Sequence, residues 1–261
     1  MGLAYERHGS GPPLVLLHGV GHRRQAWGAV LDRLTPHRDV ILVDLPGHGE
    51  SPPLRADGRP VLAVMLDAVT ALLDDLAVER PHFAGNSLGG RLALEAGVAG
   101  RAATVTALSP AGFWRGRGEM LYGWGVFKVM EATGARTRPL APALARSAVG
   151  RAVVFSAIVS RPARLSPEQA LGDITSFVAA REAINLVLAG INNFTGRVPD
   201  GVPVTIGWGS RDRLLFPGQA RLVKARLPGA RLVRLPGCGH VPMTDDPALV
   251  ADVLLRGSGR A

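Results

Sequence analysis

Short apolar runs alternate with longer amphipathic stretches along the first 110 residues. The runs "PLVLLHG" (13–19) and "DVILVDLPG" (39–47) are continuous and end in glycine, which is typical of strands buried on both faces. The stretch "RQAWGAVLDRL" and residues 61–78 have the spacing of helices with one apolar face. "PHFAG", "LGGRLALEAGVAG" and "VTALSPAG" continue the alternation as strand, helix and strand. This alternation predicts a parallel sheet with right-handed helical crossovers.

The alternation stops at about residue 111 and returns at about residue 202. From there "VPVTIGWGSRD", "PGQARLVKARL", "ARLVRLPGCGH" and "DPALVADVLL" predict strand, helix, strand and helix. Residues 111–201 contain no convincing strand, and several of their stretches have helical spacing. We therefore predict an α/β fold with a mostly parallel central sheet and helices on both faces. Residues 1–110 and 202–261 form its core, and residues 111–201 form an inserted helical cap over the sheet edge.

Size and composition fit one globular protein. The 261 residues are 47% apolar, enough for a sizeable core. No run approaches the roughly 18 to 20 apolar residues of a membrane helix, and the first residues lack the pattern of a secretory signal. Cys238 is the only cysteine, which excludes an internal disulfide and a multi-cysteine metal site. We expect a cytoplasmic protein with no membrane span and no metal.

The formal net charge of +9 is unevenly distributed. Positive and negative charges nearly balance over residues 1–110, whereas Glu119 and Glu131 are the only acids of the basic segment 111–167. The strong preference for arginine over lysine favours a coding bias as the cause. A basic rim that attracts anionic substrates or surfaces is the alternative. No basic run is interleaved with aromatic side chains, so we expect no nucleic-acid partner.

Four polar or glycine-rich stretches follow predicted strands: "HGVGHRRQAW", "GNSLGG", "GSRDRLLFP" and "GCGHVPMTDDP". Ligands of open parallel sheets bind at this carboxyl edge. Ser87, Asp212 and His240 lie in three of these stretches, in the order serine, acid, histidine. A serine hydroxyl needs a base to act as a nucleophile, and a carboxylate can orient that base. Asp245 and Asp246, the rival acids, are interpreted as helix caps.

This order of residues, with the elbow Gly85-Asn86-Ser87-Leu88-Gly89, resembles the α/β-hydrolase superfamily over residues 12–255. The resemblance implies a catalytic triad of nucleophile Ser87, base His240 and acid Asp212. It also implies an oxyanion hole formed by the backbone N–H groups of Val20 and Leu88, and no cofactor.

The resemblance implies a serine hydrolase that forms an acyl-enzyme on a small apolar or aromatic ester-type substrate: a carboxylic ester, lactone or thioester. The elbow is also similar to that of the meta-cleavage-product C–C hydrolases. The chain departs from their pattern at "GHRRQAW" and at Val241, where an aromatic is typical. A C–C hydrolase and a non-hydrolytic ligand-binding protein stay open as alternatives.

Several large side chains are candidates for an apolar substrate pocket. Arg23 and Arg24 follow the predicted oxyanion turn, and we expect them to be exposed to solvent rather than to bind a substrate carboxylate. The only expected partner is a small-molecule substrate, and a homodimer is left open. The candidate pocket residues are Trp27, Phe113, Trp114, Trp124, Phe127 and Met243.

Overall fold

A seven-stranded sheet forms the centre of the computed structural model, which describes residues 2–259. All neighbouring strands are parallel except the first, which pairs antiparallel with the third. The strand order β1-β3-β2-β4-β5-β6-β7 brings the predicted chemical stretches to one edge. The strands are β1 (Tyr5–Gly9), β2 (Pro13–Leu17), β3 (Asp39–Val43), β4 (His82–Asn86), β5 (Thr104–Leu108), β6 (Val204–Gly209) and β7 (Arg231–Leu235).

Helices cover both faces of the sheet. Gly97 packs against Val105 of β5, whereas Gly257 packs against Thr106, the next residue of the same strand. Because successive side chains of a strand point to opposite faces, the helices that carry these glycines lie on opposite sides. The helices of the core are α1 (Gly28–Leu34), α2 (Val61–Asp75), α3 (Leu88–Val98), α9 (Ala220–Arg226), α10 (Pro242–Asp245) and α11 (Pro247–Gly257).

Residues 111–201, all of which the structure describes, contain helices and no strand. Ser166 and Gln169 exchange side chain to backbone hydrogen bonds at the start of one helix, forming the capping box that their spacing indicates. The helices of this segment are α4 (Arg117–Thr137), α5 (Ala141–Arg146), α6 (Ala148–Phe155), α7 (Pro167–Ala179) and α8 (Arg181–Gly190).

The predicted fold class is confirmed, and the pattern missed one strand. β1 is short, and most of its side chains are polar and exposed, so it carries no apolar run. Its pairing with β3, and not burial, makes it a strand. Among residues 2–259, no helix combines the length and the apolar character needed to cross a bilayer.

Candidate active site

Ser87 lies at a strained turn between β4 and α3. Its backbone has φ 55° and ψ −113°, a conformation that residues with a side chain rarely adopt. A Cβ at Gly85 would overlap the backbone of Gly89, and a Cβ at Gly89 would overlap the carbonyl of Leu17. Both glycines are therefore required by close backbone approach. The turn places the Ser87 side chain on the wall of a cavity.

A buried hydrogen-bonded pair joins the loops that follow β6 and β7. His240 Nδ1 lies 2.9 Å from Asp212 Oδ2, and both side chains are almost fully buried. The other carboxylate oxygen, Oδ1, accepts from the N–H groups of Leu214 and Leu215, each at 2.9 Å. Because a carboxylate can only accept, the proton of neutral His240 is assigned to Nδ1. The Nε2 atom is left to accept a proton.

Ser87 and His240 line the same cavity, and Asn86 connects their loops. The Asn86 amide donates to the carbonyl of His240 at 2.9 Å and to that of Leu108 at 3.2 Å. Among residues 2–259, no hydrogen bond joins Ser87 directly to His240. In free enzymes, such catalytic contacts are often long and shorten when substrate binds.

Two backbone N–H groups lie beside Ser87. Val20 and Leu88 both contact the small pocket that Ser87 also lines. Leu88 is the first residue of α3, so its N–H is one of the donors that a helix cannot satisfy internally. No protein acceptor in the described part of the chain takes a hydrogen bond from either group. The positive partial charge of the helix start also favours an anion here.

Arg24 anchors the turn that carries Val20. It is buried, whereas its sequence context suggested exposure to solvent. Its guanidinium pairs with Asp44, Glu6 and Glu50, and its N–H donates to Asp44 Oδ1 at 2.6 Å. Burial acts to lower the pKa of Arg24, but the hydrogen bonds to Glu50 and Glu6 and the charge of Asp44 outweigh it and raise that pKa. The expectation of an exposed Arg24 was wrong because its acidic partners lie on β1 or follow β3.

A large, mostly apolar cavity of about 690 Å³ opens beside Ser87 and His240; we call it the large chamber. A second cavity of about 40 Å³, the small pocket, also borders Ser87. Both cavities share Val20, Ser87, Phe127 and Leu214, so the candidate nucleophile stands between a large and a small apolar space.

Only some of the predicted pocket residues line these cavities. Phe127 lines both, and Trp114 and Trp124 line the small pocket. Trp27, Phe113 and Met243 belong to the described residues but line neither cavity, because they pack in the core. Trp27 and Met243 are at most 1% exposed. Phe113 packs on Phe194 with ring centroids 5.7 Å apart. Sequence reasoning missed chamber residues of α4, α6 and α7, including Val126, Val154, Ile174 and Phe177.

A polar patch lies on the mostly apolar wall of the large chamber. It consists of His22, which follows the candidate oxyanion turn, and Asp173 of α7. Within residues 2–259, His22 Nδ1 is buried without a hydrogen-bond partner, and Arg23 Nε lies 3.8 Å from Asp173 Oδ1. Burial lowers the pKa of His22 and raises that of Asp173, although their opposite charges act against both shifts. The patch can bind a polar substituent of a ligand close to Ser87.

The rival acids have different roles. Asp246 caps α11 by accepting from Leu249 N–H at 3.0 Å, as its interpretation as a helix cap requires. Asp245 caps nothing; its carboxylate is fully buried and accepts from the N–H groups of Gly239, Ser160 and Arg161.

Burial, reinforced by the charge of Asp245, raises the pKa of the Cys238 thiol to about 11. The thiol therefore stays protonated at neutral pH and is a poor nucleophile.

The sequence is similar to those of known hydrolases. A profile of the alpha/beta hydrolase family matches residues 14–253. An uncharacterised protein of Mycobacterium tuberculosis is 28% identical over 270 residues, which cover 97% of this chain and 77% of the relative. Lipase 3 of a Moraxella species is 26% identical, with 90% of this chain and 74% of the lipase covered.

Solved structures share the same fold. A membrane phospholipase A, described as a bacterial virulence factor, has a TM-score of 0.78 at 23% identity and covers 99% of this chain and 84% of its own. A meta-cleavage product hydrolase has a TM-score of 0.74 at 17% identity, with 97% and 94% covered. At these identities the likeness concerns the fold alone. Together with the profile match over residues 14–253, it shows that this chain belongs to the alpha/beta hydrolase family of enzymes.

Proposed function

We propose that the chain is a serine hydrolase of ester-type substrates, with Ser87, His240 and Asp212 as its catalytic triad. The observation that carries the proposal is the buried Asp212–His240 pair, joined at 2.9 Å and opening on the same cavity as the strained Ser87. A structural serine has no need of a left-handed backbone between two glycines that close contacts require. Burial and orientation of the histidine by a carboxylate serve proton transfer.

The reaction proceeds in two stages. Ser87 Oγ attacks the substrate carbonyl carbon while His240 Nε2 takes the hydroxyl proton. The N–H groups of Val20 and Leu88 bind the resulting oxyanion, and Asp212 stabilises the imidazolium. Collapse of the intermediate breaks the bond to the leaving group, which receives the proton from His240. Water then attacks the acyl-enzyme by the same route, releasing the acid and restoring Ser87.

The two cavities support a substrate with unequal sides. The volume of the large chamber falls within the range of ligand sites, about 300–1,000 Å³, and its apolar walls suit an acyl chain or an aromatic acyl group. The small pocket holds only a small apolar substituent. The acyl group therefore occupies the large chamber, and the small pocket accommodates a short group on the other side of the carbonyl.

A C–C hydrolase of meta-cleavage type is the second candidate because of the "GNSLGG" elbow. Its substrates are ionised dienoates, which require a cation in the site. The arginine next to the chamber, Arg23, already faces the carboxylate of Asp173. The mostly apolar chamber therefore favours an uncharged acyl group.

The test is hydrolysis of p-nitrophenyl esters from acetate to decanoate by the wild type, by Ser87→Ala and by the exposed control Ser10→Ala. We expect a chain-length optimum, a rate at least about 10³-fold lower for Ser87→Ala and an unchanged rate for Ser10→Ala. A fluorophosphonate should label all but Ser87→Ala. Absence of labelling in the wild type contradicts a serine hydrolase, and faster turnover of a dienoate than of any ester favours the C–C reaction.

A further inference from the structure

The cap exposes an unusual number of large apolar side chains. Most of the large apolar residues that are exposed within residues 2–259 lie between residues 121 and 153. Val129, Val149 and Val153 are 67–73% exposed. Groups of exposed apolar side chains mark interaction sites, whereas single exposed apolar residues are ordinary. We call this surface the cap face; its apolar members are Leu121, Tyr122, Val129, Leu140, Val149 and Val153.

Half of the apolar members of the cap face also line the large chamber. Tyr122 and Val129 of α4 and Val153 of α6 are exposed to solvent and also line the chamber. The large chamber therefore reaches from exposed side chains of α4 and α6 to Ser87 along a mostly apolar wall. A molecule that covers the cap face therefore lies directly against the entrance to the candidate active site.

The charge around the cap face is positive and largely uncompensated. The acids of residues 111–160, Glu119 and Glu131, are each paired with basic residues, Glu119 with Arg115 and Glu131 with Lys128. The exposed side chains of Arg117, Arg136, Arg138 and Arg146 form no salt bridge within the described part of the chain. The combination of exposed valine and leucine with unpaired arginine indicates a partner that is both apolar and anionic.

An anionic lipid bilayer has both properties. Its surface potential attracts basic side chains, and the boundary between headgroups and acyl chains accepts apolar ones. A second copy of this chain would cover the apolar side chains but would not compensate the charge, because two cap faces would bring unpaired arginines together. We propose that the cap face of α4, α5 and α6 docks on anionic phospholipid bilayers, with the opening of the large chamber turned towards the acyl chains.

Docking requires no turnover, so its test is independent of the proposed function. Binding is measured by co-sedimentation of the Ser87→Ala protein with vesicles of phosphatidylcholine alone or mixed with phosphatidylglycerol. We expect binding to the mixed vesicles at low salt, much weaker binding to phosphatidylcholine, and loss of the difference at high salt. Equal weak binding to both vesicle types overturns the proposal, even where soluble esters are hydrolysed by the wild type.

Two pairs of variants separate charge from apolar contact. Arg136→Gln/Arg138→Gln should weaken binding to the mixed vesicles about 30-fold, whereas Arg231→Gln/Arg234→Gln on the distant edge strand β7 should leave it unchanged. Leu140→Gln/Val149→Gln should also weaken binding, and its control is Leu232→Gln, an exposed leucine of β7. Equal effects of the cap and β7 variants overturn the proposal. The proposal is also overturned if the protein is a dimer in solution and the cap variants dissociate this dimer without weakening vesicle binding.

Discussion

Three backbone hydrogen bonds hold the strained conformation of Ser87. Its N–H donates to the carbonyl of Leu108 at 2.9 Å, and its own carbonyl accepts from Arg91 and Ala111 at 2.9 and 3.1 Å. A left-handed serine is unfavourable by about 1–3 kcal/mol and persists only where its surroundings fix it. The neighbouring strands and α3 therefore provide the energy that keeps the candidate nucleophile in place.

Gly89→Ala should disrupt this arrangement. The new methyl group would overlap the backbone carbonyl of Leu17 in β2, which cannot move without breaking the sheet. We expect a loss of several kcal/mol in the free energy of unfolding and loss of esterase activity. Denaturant titration and the ester assay measure both. Gly118→Ala in α4 is the matched control: its methyl meets nothing, so stability should rise by about 0.5–1 kcal/mol. A stable, active Gly89→Ala protein would contradict the close packing.

Removing the Arg24 guanidinium should destabilise the turn that carries Val20. Asp44 has a fully buried side chain, so Arg24→Gln leaves its charge without a cationic partner. We expect a loss of about 3 kcal/mol in unfolding free energy and a lower kcat, because the turn that carries Val20 loses its anchor. Arg7→Gln is the control, since the Arg7–Asp39 pair is partly exposed and should contribute about 1 kcal/mol or less. Equal losses for both variants would show that burial of the Arg24 pair is unimportant.

The sequence predicted the candidate triad but not its supports. Ser87 and Asp212 follow strands that are plain apolar runs, and His240 follows the partly exposed strand β7, so their place at one sheet edge could be inferred. Arg24 follows a strand in the same way, yet its burial depends on carboxylates of β1 and of the loop after β3. No local pattern encodes such pairing. Arginine near a turn is usually solvated, and only the packed structure shows the exception.

At the scale of elements, the loop of His240 is fastened to the cap as well as to the core. Asp245 of α10 accepts from Gly239, one residue before the histidine, at 2.7 Å, and from Ser160 and Arg161 after α6. The Val241 N–H, on the other side of the histidine, donates to the carbonyl of Ile158 at 2.9 Å. A shift of the segment after α6 would therefore also move His240.

Asp245→Asn tests this coupling. An amide has one accepting oxygen and presents its NH₂ group to N–H donors, so it cannot replace a carboxylate that accepts from three of them. We expect a loss of about 2 kcal/mol in unfolding free energy and a kcat lowered more than KM is changed. The neighbouring Asp246→Asn is the control, because asparagine is an equally good helix cap. A changed KM with unchanged kcat would argue against a positioning role for Asp245.

At the scale of the whole molecule, the core was easier to predict than the helical segment. Buried parallel strands are mostly apolar runs, and β2 to β6 coincide with runs identified from the pattern; β7 was predicted as well. Within residues 111–201, the pattern predicts helices but not which faces meet. Trp114, Trp124 and Phe127 reach the cavities, whereas Phe113 packs on Phe194. Which aromatic side chains reach a cavity depends on long-range packing, which the local pattern does not encode. The boundaries of the cap and the role of the pocket stay predictions.

Acid should destabilise the whole fold through buried neutral histidines. Burial lowers the pKa of His48 from 6.5 to about 4 and that of His18 well below 6.5. The unfolded chain therefore binds protons at a pH where these folded imidazoles do not. Above about pH 6.5 these histidines do not lower the free energy of unfolding. That free energy falls as the pH drops towards 4, by about 3 kcal/mol for His48 alone.

His48→Gln should remove part of this acid sensitivity. The glutamine amide can donate to the Pro46 carbonyl, which lies 3.0 Å from His48 Nδ1, but it binds no proton in this range. Denaturant titrations between pH 7 and 4 should give a shallower loss of unfolding free energy than for the wild type. The exposed His8→Gln is the matched control. Parallel curves for the wild type and His48→Gln would contradict a lowered pKa of His48 in the folded state.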